Sequence, residues 1–136
     1  MKKIFKWGVI GTGGIANAFA NDLKYLENHI VESVLSRNLE TAKIFASNHN
    51  ECKSYDKKEF FFENSNIDAI YIATPNTLHA QQCIESLQRK IPVLCEKPFS
   101  MNLQETQNMV SASKENNTTL LEAMWLSLIH ISEPTR

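Results

Sequence analysis

Apolar residues fall along this chain in two alternating rhythms. Short, nearly continuous apolar runs alternate with stretches in which apolar residues return every three or four positions. The first rhythm is that of strands buried on both faces, the second that of helices with one apolar stripe. Residues 4–10 form the first run, which stops at Gly11, Gly13 and Gly14. The spacing over 15–28 then places Ile15, Phe19, Leu23 and Leu26 on one helical face. Residues 29–37 read as a second strand and 39–49 as a second helix whose Leu39, Ala42, Phe45 and Ala46 share a face. After a short extended piece at 53–55, Asp56 and Glu59 stand at capping-box spacing and predict a brief helix. Residues 67–74 form a fourth strand, Asn76 is placed to cap a helix over 77–89, and 91–96 form a fifth strand. Asn102 and Glu105 repeat the capping-box spacing before a helix over 103–116, and 118–124 form the sixth strand.

Parallel neighbours cannot be joined by tight hairpins, so strands that alternate with crossover helices imply a mostly parallel sheet with helices on both faces. The expected fold class is therefore α/β, a doubly wound Rossmann sheet. A chain of 136 residues is the size of one such domain. With 43% hydrophobic and 21% charged residues and a net charge of −1, the composition offers neither nucleic acid nor an anionic membrane a partner. No apolar run approaches the roughly 20 residues of a membrane helix, and Lys6 interrupts the N-terminal apolar stretch, which argues against a signal peptide. A cytoplasmic location is the default expectation. Cys52, Cys83 and Cys95 are odd in number and contain no Cys-x-x-Cys pair, so buried thiols are expected rather than disulfides or a metal site.

The glycines carry the first chemical signal. Gly11 to Ala16 reads G-T-G-G-I-A, the G-x-G-x-x-A form of a dinucleotide fingerprint, between the first strand and the first helix. Gly11 would allow the tight turn, Gly13 would let the backbone approach a pyrophosphate, and Ala16 would keep the helix close to the sheet. About 20 positions after Ala16, where an acidic residue would bind the ribose diol of NAD, the chain has Ser36, Arg37 and Asn38. A hydroxyl beside a guanidinium suits the 2′-phosphate of NADP instead. The alternative is an ordinary solvated loop arginine. Thr74 and Asn76 follow the fourth strand and Glu96 and Lys97 the fifth, at the carboxyl edge where open parallel sheets bind ligands. Asn76 is equally a helix cap. His79, one turn into its helix, is either a cofactor-edge contact or an ordinary first-turn histidine. A lysine at the position of Lys97 can donate a hydrogen bond to a substrate hydroxyl and help carry its proton. A short-chain dehydrogenase would need Tyr-x-x-x-Lys, and none of Tyr25, Tyr55 and Tyr71 has a lysine at that spacing. A Rossmann-type methyltransferase would want an acidic residue ending the second strand, and Glu32 comes too early.

Together the stretches GTGGIA, SRN, IATPNTLHA, CEKPFS and LLEAMW resemble the N-terminal domain of the glucose-fructose oxidoreductase, inositol dehydrogenase and MocA family. SRN, EKP and EAMW resemble most its NADP-dependent branch, which includes dimeric dihydrodiol dehydrogenases and D-xylose dehydrogenases. The resemblance runs from about Lys3 to Trp125. It implies an oxidoreductase that moves a hydride between NADP, less readily NAD, and a hydroxyl-bearing carbon of a sugar, polyol or trans-dihydrodiol. It also implies cofactor contacts at Gly11, Thr12, Gly13, Gly14, Ile15, Ser36, Arg37, Asn38, Thr74, Asn76, His79 and Glu96, with Lys97 as the catalytic lysine beside a cis Pro98. The family's second α/β domain, which supplies the remaining acid/base residue, most of the substrate pocket and the interface of a homo-oligomer, is expected to be missing. A protein that binds NAD(P) without turnover, as a sensor or regulatory subunit, is the alternative. Residues 126–136 match no continuation of the family and read as the in-frame translation of a sequencing-library transposase adapter. The expected division is thus a cofactor-binding domain over 1–125 and a non-native tail over 126–136, fragment enough to be inactive alone.

Overall fold

The computed structural model describes residues 3–64 and 66–123. The boundary expected at Trp125 and the tail over 126–136 lie outside the described residues. Six strands, β1 (Phe5–Ile10), β2 (His29–Leu35), β3 (Lys53–Tyr55), β4 (Ala69–Ile72), β5 (Val93–Cys95) and β6 (Leu120–Glu122), form one sheet in the order β3-β2-β1-β4-β5-β6. Every pairing is parallel. The order reverses between β1 and β4, the place where doubly wound sheets open a crevice at the carboxyl ends of their strands.

Five helices connect these strands: α1 (Gly14–Leu23), α2 (Leu39–Ser47), α3 (Lys58–Asn64), α4 (His79–Gln88) and α5 (Leu103–Asn116). Strand alternation sends Val9 and Tyr71 to one face of the sheet and Ile10, Ile70 and Ile72 to the other. Ala16, Phe19, Ala20 and Leu23 of α1, with Ala42 and Phe45 of α2, close the first face. Phe61 of α3, Cys83 and Leu87 of α4, and Met109 and Ala112 of α5 close the second. Both faces are covered, which is why β4 is buried along its whole length and reads as an unbroken apolar run.

Two expected helices shift. Of the stripe expected for α1, Phe19 and Leu23 are buried while Ile15 and Leu26 are exposed, and Ala16 and Ala20 complete the buried face. Small residues on that face let the helix backbone sit close to the sheet. The helix also stops at Leu23, and three successive i→i−3 bonds, from the N–H groups of Lys24, Tyr25 and Leu26, tighten its end. It stops early because Asn28 takes a left-handed φ of 68° and accepts from the Phe5 N–H, turning the chain in time for His29 to pair with Phe5. In α2, Leu39 is exposed and only Ala42, Phe45 and Ala46 reach the core. The α5 boundaries agree with the spacing, and Asn102 Oδ1 accepts from the Glu105 N–H at 2.9 Å while Glu105 Oε1 accepts from the Met101 N–H at 2.8 Å.

Gly8 has a role that the sequence pattern left unread. A Cβ there would lie 2.7 Å from Ile67 Cδ1 and 2.9 Å from Phe61 Cζ, and the β1–β2 register slips beside it, between Trp7 and Gly8. Among the described residues no helix is long and apolar enough to cross a membrane.

Candidate functional site

The crevice at the switch point is a cleft of about 580 Å³. Its floor is the turn between β1 and α1. Gly11 has φ +114°, and a Cβ on it would stand 2.7 Å from the Ala73 carbonyl oxygen, so only glycine lets β1 turn this tightly beside β4. At Gly13 and Gly14 the requirement differs: a Cβ at either would meet nothing within 4 Å. Backbone there faces open space. Gly13 is the N-cap of α1 and supplies no side chain, so the first amides of α1 keep their hydrogens for a ligand. The cradle thus fits a pyrophosphate by its empty volume and by its unsatisfied donors. Gly11, Thr12 and Gly13 line the cleft, with Gly14 and Ile15 exposed at its rim.

The second wall is the loop after β2. Ser36, Arg37 and Asn38 all line the cleft. Arg37 is exposed and, among the described residues, its guanidinium has no ion pair. Asn38 is the N-cap of α2, its Oδ1 accepting from the Glu40 N–H at 2.7 Å and the Thr41 N–H at 3.4 Å, so its side chain is already committed to the helix. Thr41 Oγ1 donates to the Asn38 carbonyl at 2.9 Å, which leaves Ser36 to donate to Thr41 Oγ1 at 2.5 Å. The serine is therefore held, half-buried, facing the mouth of the cleft. Asp56, Lys58, Gln82 and Glu85 complete the far wall. No spacing in the sequence marks them, because they come from separate elements that only the fold gathers. Lys58 Nζ lies 2.6 Å from Glu85 Oε2, and that carboxylate raises the lysine pKa above its ordinary value.

The third wall follows β4. Thr74 lines the cleft, its Oγ1 donating to Gln82 Oε1 at 2.5 Å. Asn76 does not cap α4; it opens a 3-10 turn (Asn76–Leu78), and neither that turn nor α4 has a side-chain cap. The chain leaves β4 too tightly for an Asx cap, and the Leu78 N–H bonds to the Pro75 carbonyl instead.

His79 is also placed otherwise than expected. It is 1% exposed and does not line the cleft. Its Nδ1 lies 2.8 Å from the Pro98 carbonyl and its Nε2 2.8 Å from the Thr74 carbonyl. Only an imidazolium donates to both. Burial opposes the charge, yet the neighbouring Cys95 and the two carbonyls outweigh it and raise the pKa to about 9. The neighbouring Cys83, and secondarily His79, lower the pKa of Cys95 against the effect of burial, while that of Cys83 is raised. His79 thus acts as a buried strut between the loops after β4 and β5.

That strut carries the last part of the site. The Lys97–Pro98 peptide is cis, and Lys97 is exposed at the carboxyl edge, beyond the cleft. Glu96 is half-buried and accepts from the Tyr71 hydroxyl. Tyr71 is fully buried and stacks on Phe19 at 3.9 Å between centroids. A tyrosine within a buried apolar strand reads as core, so its grip on Glu96 was invisible in the sequence. Among the described residues no group of three or more His, Cys, Asp or Glu is placed to hold a metal ion, and the three cysteines are free thiols.

A family model described as "Oxidoreductase family, NAD-binding Rossmann fold" matches residues 5–124. The chain is 36% identical over 121 residues to the scyllo-inositol 2-dehydrogenase (NADP(+)) IolU of Bacillus subtilis, covering 89% of this chain and 37% of the relative. It is 35% identical over 133 residues to the trans-1,2-dihydrobenzene-1,2-diol dehydrogenase of Xenopus tropicalis, covering 96% of this chain and 40% of that enzyme. The chain thus spans well under half the length of these relatives. Among solved structures, an NAD-binding protein from Listeria innocua superposes with a TM-score of 0.80 at 25% identity, over 88% of this chain and 35% of the other. The WlbA dehydrogenase of Bordetella pertussis, solved with NADH and UDP-GlcNAcA, shares the fold with a TM-score of 0.83 at 22% identity, over 89% and 35%.

Proposed function

The chain belongs to the oxidoreductase family with an NAD-binding Rossmann fold, and from that premise we propose that its cleft holds NADP in preference to NAD. The reaction served is hydride transfer to or from a hydroxyl-bearing carbon of a sugar, polyol or trans-dihydrodiol. One observation carries the preference: an exposed Arg37, without an ion pair among the described residues, and a hydroxyl at Ser36 stand at the end of β2, where an acidic side chain would repel a 2′-phosphate. The names of the two curated relatives, one NADP-dependent and acting on an inositol, the other acting on a diol, support the cofactor and the substrate class.

When bound, the dinucleotide supplies the hydride chemistry. The residues of this chain supply position and protons. Gly11, Thr12, Gly13 and the first amides of α1, at Gly14 and Ile15, hold the pyrophosphate, favoured by the positive end of the helix dipole. Arg37 pairs with the 2′-phosphate, and Asn38 fixes the loop that presents it. Thr74, Asn76 and Glu96 form the wall toward the reactive end, with Glu96 oriented by Tyr71. Lys97 donates a hydrogen bond to the reacting hydroxyl and carries its proton, on a loop that the His79 strut holds through the Pro98 carbonyl.

The test is calorimetric titration of NADP and NAD. Charge-assisted hydrogen bonds are worth ~1.5–3 kcal/mol, so Arg37→Ala weakens NADP binding by about 10-fold to 150-fold and leaves NAD nearly unchanged. Ser36→Asp reverses the preference, since its carboxylate pairs with the free ribose hydroxyls of NAD. Equal affinities in the wild type, unmoved by Arg37→Ala, would show a solvated loop arginine and defeat the reading.

A further inference from the structure

The turn that would hold the pyrophosphate is braced from behind. Asn17, in the second turn of α1, donates through Nδ2 to the Gly13 carbonyl at 2.9 Å and to the Thr12 carbonyl at 3.3 Å. Its Oδ1 lies 2.7 Å from His49 Nε2. The two carbonyls fix the orientation of the amide, because the flipped form would set oxygen against oxygen. With Oδ1 as acceptor, His49 must carry its proton on Nε2. His49 sits beyond the end of α2, 4% exposed, with its ring 4.4 Å from that of Phe45. Its Nδ1 is buried and, among the described residues, has no partner, which suits a lone pair and not a proton. Burial, and secondarily Lys24, lower its pKa, in keeping with a neutral donor.

Consider what the brace does to the peptide planes. In a trans peptide the C=O and the following N–H point in opposite directions. Carbonyls of Thr12 and Gly13 drawn toward Asn17 therefore turn the N–H groups of Gly13 and Gly14 the other way. A Cβ on either glycine would meet nothing within 4 Å, so the turn has open space beside it. Among the described residues neither N–H has a backbone acceptor. The Gly13 carbonyl is also held by the first intrahelical bond, from the Asn17 N–H at 3.0 Å; without the side-chain brace the Thr12–Gly13 peptide would rotate at little cost, and its donor would have to be ordered on each binding event.

We propose that Asn17, itself held by His49, is a positioning residue that presets the amides of the β1–α1 turn for a pyrophosphate. This rests on the dinucleotide reading above. It adds a residue outside the G-x-G-x-x-A positions and a second one 32 positions further along the chain.

The test compares NADP with adenosine 2′-monophosphate, which carries the same 2′-phosphate and no pyrophosphate, by calorimetry on the full 136-residue chain. Asn17→Ala is expected to weaken NADP about 10-fold, as the loss of a net hydrogen bond or two implies, and to leave adenosine 2′-monophosphate within about 2-fold. Asn17→Asp weakens NADP further, because a carboxylate repels both the two carbonyls and the pyrophosphate. His49→Phe keeps the ring volume and loses the donor, so it moves NADP in the same direction by a smaller factor, and His49→Gln restores part of the loss. Thermal unfolding confirms that each variant is folded; should Asn17→Ala not fold, His49→Phe decides. Equal weakening of both ligands, or unchanged NADP affinity in folded variants, overturns the inference alone. A wild type that binds adenosine 2′-monophosphate and no dinucleotide overturns the dinucleotide reading and the inference with it.

Discussion

Two glycines two positions apart do different work, and substitution separates them. Gly11 is confined by conformation and contact together, with its left-handed φ and the Ala73 carbonyl 2.7 Å from where a Cβ would stand. Gly13 has an ordinary φ of −82° and open space around it. Gly11→Ala is therefore expected to cost roughly 2–4 kcal/mol of stability, from backbone strain plus a displaced neighbour, visible as a lower midpoint in urea unfolding. Gly13→Ala should leave that midpoint within about 0.5 kcal/mol of wild type, since an unconfined surface substitution does little. It should nonetheless weaken NADP, because the added methyl occupies the approach of the pyrophosphate. A pair of midpoints that fall together would mean that both glycines serve the fold. The histidines divide in the same manner: His49 is a neutral donor with a bare buried nitrogen, whereas both nitrogens of His79 are satisfied only when it is charged.

At the scale of elements, the caps explain which boundaries the sequence makes legible. Asn38 and Asn102 each accept from the first turn of the helix they open, and α2 and α5 begin where those asparagines place them. Asn102→Ala should cost about 1 kcal/mol, and Glu105→Ala a smaller amount, because each leaves a helix-end or loop amide unpaired. Global unfolding curves that do not move for either variant would show that water replaces the caps. Asn76 looks the same in the sequence and caps nothing, since Pro75 and the 3-10 turn take the chain off β4 too tightly for its side chain to reach back. Phe19 and Tyr71 show the converse. Each reads as an apolar position on its own element, but their stacking across α1 and β4 carries the Tyr71 hydroxyl to Glu96, 25 positions away.

For the whole molecule, the sheet order sets what the chain can do. The described residues provide a floor and walls for a dinucleotide, and an exposed Lys97 at the carboxyl edge of β5. In the function proposed above, that lysine orients one hydroxyl. Productive hydride transfer also needs the reacting carbon aligned, which is worth ~7–11 kcal/mol in well-placed reactions. The 136-residue chain is accordingly expected to bind NADP and to give no measurable turnover on aldoses, inositols or other polyols, read as NADPH absorbance over time. Substrate-dependent NADPH formation by the purified chain would show that these residues suffice for catalysis.

The sequence by itself determined the class of fold, the number and order of strands and helices, the glycine turn and the cationic end of β2. These follow from local rules: apolar periodicity, capping side chains, and glycine where the backbone turns tightly. It also located the two candidate carboxyl-edge loops, although β4 ends at Ile72 and β5 at Cys95, short of the expected Thr74 and Glu96. The packed fold alone accounts for the exposure of Ile15 and Leu26, the burial of His79, the gathering of Asp56, Lys58, Gln82 and Glu85 into the cleft wall, and the linkage from His49 through Asn17 to Gly13. Each of these depends on atoms brought together from distant positions. Their energies exist only once the sheet has closed, so no local pattern in the chain records them.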